Sequence, residues 1–358
     1  MDVSVEEMEE EKQKIKDLIE LIEENNTFIF LGAGASKEAG LPTIKDLANL
    51  LKEELDNPSK LKEGEVSEFL KRIISILENK KQNSLTIEDI LETIYHIYFL
   101  MTGSNNEILP SIKGVEKIDR NIMDLSITFI KKLVYENCID IDQEKLNTHK
   151  CFFQCMLNSG RMRKFRVFTT NWDIIVEKVC DILEFKCEDG FTGIFDAFES
   201  FNILRENHST ILPTVFLYKL HGSLNWIHYG NNKIIRTVDK LERENYEKVM
   251  IYPTPFKFRE ILGYPYSDLL SFFSDSISRK SQSPLLIVIG YSLGDSHIIS
   301  KISNMLKENE RSNLFIINPN INFDSISKYL EINEGSHPKV KLINIDFNMF
   351  TRMLKEFG

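Results

Sequence analysis

Apolar residues fall at helical spacing in the first stretch of the chain. Ile15, Leu18, Ile19, Leu21 and Ile22 predict an amphipathic helix over residues 5–25. An unbroken apolar run, Phe28 to Leu31, follows at once and predicts a buried strand. From Ile44 to about Asn158 the period is helical almost throughout. Leu47, Leu50, Leu51 and Leu55 mark one helix, and Phe69, Ile73, Ile74 and Ile76 mark the next. Ile87, Ile90, Leu91, Ile94 and Ile97 mark a third, opened by Thr86 with Glu88 and Asp89 in its first turn. Ile127, Ile130, Leu133 and Val134 mark a fourth, and His149 to Leu157 belongs to a fifth. Residues 102–118 hold Gly, Ser, Asn and Pro and read as a loop.

Beyond residue 164 the pattern changes to short β-rich runs alternating with helices. The strands are Phe165 to Thr169, Thr214 to Leu220, Val249 to Tyr252, Leu285 to Gly290, Asn313 to Ile317 and Val340 to Ile343. Helical stretches cover 173–183, 266–279, 295–308, 323–331 and 347–356. Such alternation implies βαβ units and a parallel sheet, which the first strand must join. The expected fold is therefore α/β: a Rossmann-like doubly wound parallel sheet with a large helical insertion forming a second subdomain. Residues 1–42 and 159–358 form the expected core, and 43–158 the insertion. Residues 226–236 predict a small hairpin around Gly230 and Asn231.

Composition narrows the function. The 358 residues are 42% hydrophobic and 27% charged, as in ordinary globular chains. A net charge of −10 argues against a surface that neutralises a phosphate backbone, so direct nucleic-acid binding is not expected. The basic run from Arg161 to Arg166 reads as a solvated strand entrance. No run of 18 apolar residues is present, so no membrane span is expected. The acidic N-terminus is unlike a signal peptide. Five cysteines without a C-x-x-C pair fit reduced thiols in the cytoplasm, with no metal site and no zinc. Cys151 and Cys155 share one helical face and read as core.

The candidate chemistry sits at strand ends, where ligands of doubly wound sheets bind. After Leu31 comes Gly32-Ala33-Gly34-Ala35-Ser36. The glycines allow a tight turn and close backbone approach, and Ser36 is placed to cap the following helix. Helix-end amides there favour a phosphate. The third glycine of the dinucleotide fingerprint is replaced by Lys37, and the next glycine is Gly40, so an ordinary dehydrogenase is excluded. Other strand ends carry Thr169-Thr170-Asn171-Trp172-Asp173, Lys219-Leu220-His221-Gly222-Ser223, Gly290-Tyr291-Ser292-Leu293-Gly294-Asp295 and Asn318-Pro319-Asn320. Gly222 is expected to leave room for a sugar beside His221, Asp295 to cap the next helix, and His297 to be a surface or packing residue.

The ordered set GAGAS…AGLP, TTNWD, KLHGSLNW, GYSLGDSHI and INPN resembles the sirtuin family, specifically its bacterial defence branch. The resemblance implies NAD binding and cleavage of the nicotinamide–ribose bond. It makes His221 the general base, Asn171 the group orienting water or nicotinamide, and Asp173 a further catalytic-site residue. It assigns NAD binding to Gly32, Ala33, Gly34, Ala35, Ser36, Thr170, Gly290, Ser292 and Asn318. Two family features of deacylases are missing. Thr43-Ile44-Lys45 stands where they have Asp-Phe-Arg, and the zinc-binding cysteine pairs are absent. Water then becomes the expected acceptor, which implies an NAD glycohydrolase of anti-phage defence. The alternatives are a deacylase or ADP-ribosyltransferase, and a non-catalytic subunit that senses NAD or ADP-ribose. A homo-oligomer, and a partner such as a HerA-type ring ATPase, are the expected means of control.

Overall fold

A computed structural model describes residues 5–24, 26–56, 64–81, 85–101, 118–193, 196–201, 211–229, 233–237, 248–251, 261–279, 282–332 and 337–357. The chain divides into two compact units. One comprises Met1–Gly40, Ile141–Met250 and Ile261–Gly358, and the other Leu41–Asp140 and Ile251–Glu260.

The first unit opens with α1 (Val5–Leu21), β1 (Thr27–Leu31) and the short helix α2 (Ala33–Lys37). The second unit holds α3 (Ile44–Asp56), α4 (Gly64–Lys81), α5 (Ile87–Leu100) and α6 (Arg120–Ile139), which pack on one another. Their apolar stripes, among them Leu51, Phe69, Ile90, Ile94 and Ile130, are buried as the periodicity predicts. Thr86 and Asp89 form the reciprocal cap of α5, an arrangement worth about 1 kcal/mol. The predicted loop falls, over 102–117, outside the described residues.

The chain then returns to the first unit through a 3-10 turn (Gln143–Leu146) and α7 (Asn147–Asn158). Placing α7 in the insertion is thus corrected. Its Phe152 meets Phe347 at 5.4 Å and its Phe153 meets Phe165 at 5.4 Å, so its apolar face completes the core of the sheet unit. Helical spacing alone cannot say which core a helix covers.

The remaining elements are β2 (Lys164–Thr169), α8 (Ile175–Leu183), β3 (Lys186–Glu188), β4 (Phe191–Thr192), β5 (Asp196–Glu199), β6 (Thr214–Lys219), β7 (Gly222–Tyr229), β8 (Lys233–Thr237) and β9 (Lys248–Met250). After them come α9 (Tyr266–Ile277), β10 (Leu285–Ile289), α10 (Ser296–Glu308), β11 (Asn313–Ile317), α11 (Phe323–Leu330), β12 (Val340–Ile343) and α12 (Phe347–Phe357).

Seven strands form one parallel sheet in the order β12-β11-β10-β1-β2-β6-β3. β1, β6 and β10 are buried along their whole length, which is why their sequences are dominated by apolar residues. From β1 the chain moves outward to β2 and β6, then returns to the other side of β1 at β10. The β1/β10 pair is therefore the topological switch point, where a doubly wound sheet opens a crevice. A second, antiparallel sheet has the order β4-β5-β8-β7-β9. The predicted hairpin is its β7/β8 pair, although the turn at 230–232 lies outside the described residues.

Candidate functional site

At the switch point two loops lie backbone to backbone. Gly32 N–H donates to Ile289 O at 2.9 Å and Gly34 N–H to Gly290 O at 2.7 Å. Gly290 has φ +64°, and a Cβ there would stand 2.3 Å from Ala35 N, so only glycine closes the contact. Gly32 and Ala35 are buried, whereas Ala33 and Gly34 are exposed at the top of the turn. Ser36 does not cap α2. The N-cap is Gly32, and Ser36 lies inside the helix, buried, with its hydroxyl turned to the end of β2.

There it joins a hydrogen-bonded chain. Asn171 Nδ2 donates to Gly32 O at 2.9 Å and to Ser36 Oγ at 2.8 Å. Ser36 Oγ donates to Asp173 Oδ2 at 2.7 Å. Because Gly32 O can only accept, the atom facing it must be the amide nitrogen, and the Asn171 Oδ1 orientation is fixed. Among the described residues that oxygen accepts no hydrogen bond. Asp173 Oδ1 accepts Ile175 N–H at 3.1 Å, so both carboxylate oxygens hold structure in place. The Asp173 carboxylate, expected as a catalytic-site group, is thus engaged by Ser36 and by the backbone of Ile175. Thr169, not Thr170, ties the strands together. Its hydroxyl donates to Leu31 O at 2.8 Å and accepts Asn171 N–H at 2.9 Å. Thr170 is half-buried and makes no side-chain hydrogen bond among the described residues.

β6 delivers the second half. In the sheet register Thr169 pairs with Lys219, so Asn171 and His221 each follow two residues beyond one paired row of adjacent strands. The two exits are laced together: Leu220 N–H donates to Thr169 O at 2.8 Å, and Leu224 N–H to Trp172 O at 3.0 Å. Lys219, fully buried, pairs with Glu177 at 3.0 Å and donates to Asp173 O. This ammonium was not expected at the site, although its place at a strand end marked it. Gly222 has φ +77°, and a Cβ there would lie 2.0 Å from Val249 O. Glycine is required at this position by β9, not by a sugar.

His221 is 4% exposed, and its Nε2 lies 2.9 Å from Nε2 of His297. His297, expected as a surface or packing residue, is half-buried and tied to His221. It belongs to the β10 side of the rim, and β10 is separated from β6 by β1 and β2. The pair therefore joins the β6 exit to the start of α10, on either side of the strands carrying Gly32 and Asn171. Asp295 is the N-cap residue of α10 but makes no side-chain cap. Its Oδ2 instead accepts Tyr291 O–H at 2.9 Å. The donor atoms of His221, Asp295 and His297 all lie within 4.8 Å of one another. Ser292 is exposed on the same loop. Asn318 bridges β11 to this loop by donating to Tyr291 O at 3.2 Å, and its Oδ1 accepts Asn320 N–H at 3.0 Å.

Beneath the Asn171 chain lies a small cavity lined by Ser36, Asn171, Asp173, Lys219, Glu177 and His149. Burial alone lowers the His149 pKa from 6.5 to about 4, so this imidazole is neutral at pH 7.

Among the described residues no helix is long and apolar enough to cross a membrane. No curated protein sequence matches the chain. Three solved structures align with it at length. One is described as the structural basis of sirtuin substrate affinity, with 14% identity, 97% of this chain, 98% of that chain and a TM-score of 0.40. Another concerns the mechanism and regulation of Sir2 enzymes, with 10% identity, 97% of each chain and a TM-score of 0.41. The third is a Sir2 mutant with a p53 peptide and NAD, with 14% identity, 96% of this chain, 97% of that chain and a TM-score of 0.36. The SIR2-like domain family matches residues 166–334, a span that holds Asn171, Asp173, His221, Ser292 and Asn318 and leaves the Gly32 turn outside. Over residues 166–334 this chain carries a SIR2-like domain.

Proposed function

We propose that the protein is an NAD glycohydrolase, converting NAD and water to nicotinamide, ADP-ribose and a proton. The observation that carries the reading is the emergence of Asn171 and His221 side by side, from adjacent strands and one register row, next to the switch point. In the reaction the C1′–N bond of the nicotinamide ribose breaks through an oxocarbenium-like transition state, and a C1′–O bond to water forms. Nicotinamide leaves without a general acid. Asn171, held by both hydrogens of its amide, presents Oδ1 to orient the water. His221 accepts the proton from a ribose hydroxyl or from the water, work suited to an imidazole near neutral pH. Ser36 and Asp173 act as positioning residues through Asn171. Ala33 and Gly34 present the exposed turn to the phosphates, and Ser292, Thr170 and Asn318 line the approach of the remaining nucleotide. The role in the cell is depletion of cytoplasmic NAD in anti-phage defence, restrained by self-association or by a partner such as a HerA-type ATPase.

The test is release of nicotinamide from NAD by the purified full chain, alone and with the product of a neighbouring gene. Turnover that is lost in Asn171→Ala and His221→Ala, with unchanged circular dichroism, supports the reading. Turnover retained in both variants overturns it.

A further inference from the structure

The contact between His221 and His297 has a chemistry of its own. Each imidazole turns its Nε2 toward the other at 2.9 Å, with the rings 5.1 Å apart at 35°. Two histidine nitrogens bound to one tetrahedral ion at about 2.1 Å lie roughly 3.4 Å apart, so the pair must open by about half an ångström to take the ion. The third donor is the Asp295 carboxylate: one ligand atom from each of His221, His297 and Asp295 lies within 4.8 Å of the other two. The carboxylate is itself oriented. Tyr291 O–H donates to its Oδ2, and the Tyr291 ring packs on Phe30 at 4.8 Å. A ligand carboxylate held by a second hydrogen bond is the usual support of a metal centre.

We propose that His221, His297 and Asp295 bind a divalent transition metal of the zinc class. Two imidazoles and one carboxylate suit zinc or cobalt rather than calcium or magnesium, which take oxygen ligands. Three protein ligands leave one tetrahedral position open. The site differs in residues and location from a cysteine-bound structural zinc. It shares His221 with the NAD reading but does not rest on it, because binding a metal needs only these three side chains. Where both hold, the metal and the proton compete for His221 Nε2, and a loaded chain is held inactive.

The test is titration of Zn²⁺ into the full chain, freed of any histidine tag, by calorimetry, with Co²⁺ absorption as a second readout. The expected result is one equivalent bound, a cobalt spectrum without a thiolate charge-transfer band, and a higher Tm with metal. His297→Gln should weaken binding roughly tenfold or more and remove the metal-dependent rise in Tm, and Asp295→Asn should weaken it less. No binding by the wild-type chain, equal binding by His297→Gln, or a thiolate band would overturn the proposal. These readings use no NAD, so failure of NAD cleavage leaves them untouched.

Discussion

The two halves of the rim are built on different principles. Around Asn171, nearly every bond ends on backbone or on Ser36: Gly32 O, Ile175 N–H, Leu31 O. The amide is fixed by the fold itself and cannot move without opening the β1–α2 turn. Around His221 the decisive contact is side chain to side chain, between the β6 exit and the first turn of α10, which follow strands that are not neighbours in the sheet. One half is rigid by hydrogen-bond count, and the other can be remodelled by changing a single imidazole. A site that needs a fixed dipole on one side and a proton acceptor on the other gains from that asymmetry.

On the proposed reading, the largest effect should come from removing Asn171 or His221. Asn171→Ala and His221→Ala should each lower NAD cleavage by about a thousandfold, and Asn171→Ala should also cost about 1–2 kcal/mol of stability because it removes the donors to Gly32 O and Ser36 Oγ. If only one does so, the two halves do not act on the same reaction. Next, Gly290→Ala should destabilise the fold by roughly 3 kcal/mol or more, because it meets Ala35 N at 2.3 Å from a left-handed backbone. A Tm within a degree of wild type would show that the two loops are not locked together.

A third experiment probes the cavity under the rigid half through pH. The folded chain refuses at His149 a proton that the unfolded chain accepts, since the pKa is about 4 against 6.5. The unfolded state then binds more protons between those values, so stability is full above pH 6.5 and falls as pH drops toward 4. His149→Phe does not titrate. Between pH 7 and pH 4.5 its stability relative to wild type should rise by on the order of 3 kcal/mol, measured by denaturant melts. A constant difference across that range would contradict a buried neutral imidazole. The smallest effect belongs to Ser36→Ala. It removes the hydroxyl between Asn171 and Asp173, costs about 1–2 kcal/mol of stability, and should lower kcat while leaving KM near its original value. A change in KM alone would assign Ser36 to binding instead.

Much of the parallel sheet was legible because buried strands announce themselves as apolar runs. β3, β4 and β5 were not, since segments of two to four residues carry no period. The positions of Asn171 and His221 followed from the strand-end rule. Ser36 was misread because a serine after a glycine turn looks like a cap, and only the three-dimensional path of β2 reveals its partner. His297 was missed because one histidine in the first turn of a helix carries no signal. Its position seven residues beyond Gly290, at the switch point, was the available clue. Sequence also could not assign α7, whose apolar face fits either core.

β1 is completed on one side by β2 and on the other by β10, strands made far apart in time by the ribosome. The turn at Gly32 is closed by carbonyls of Ile289 and Gly290. A nascent chain that has not yet emerged past Gly290 therefore holds the N-terminal loop without its other wall. Whatever chemistry this rim performs waits until Gly290 has been made, and a product terminated before it lacks the carbonyls that close the turn.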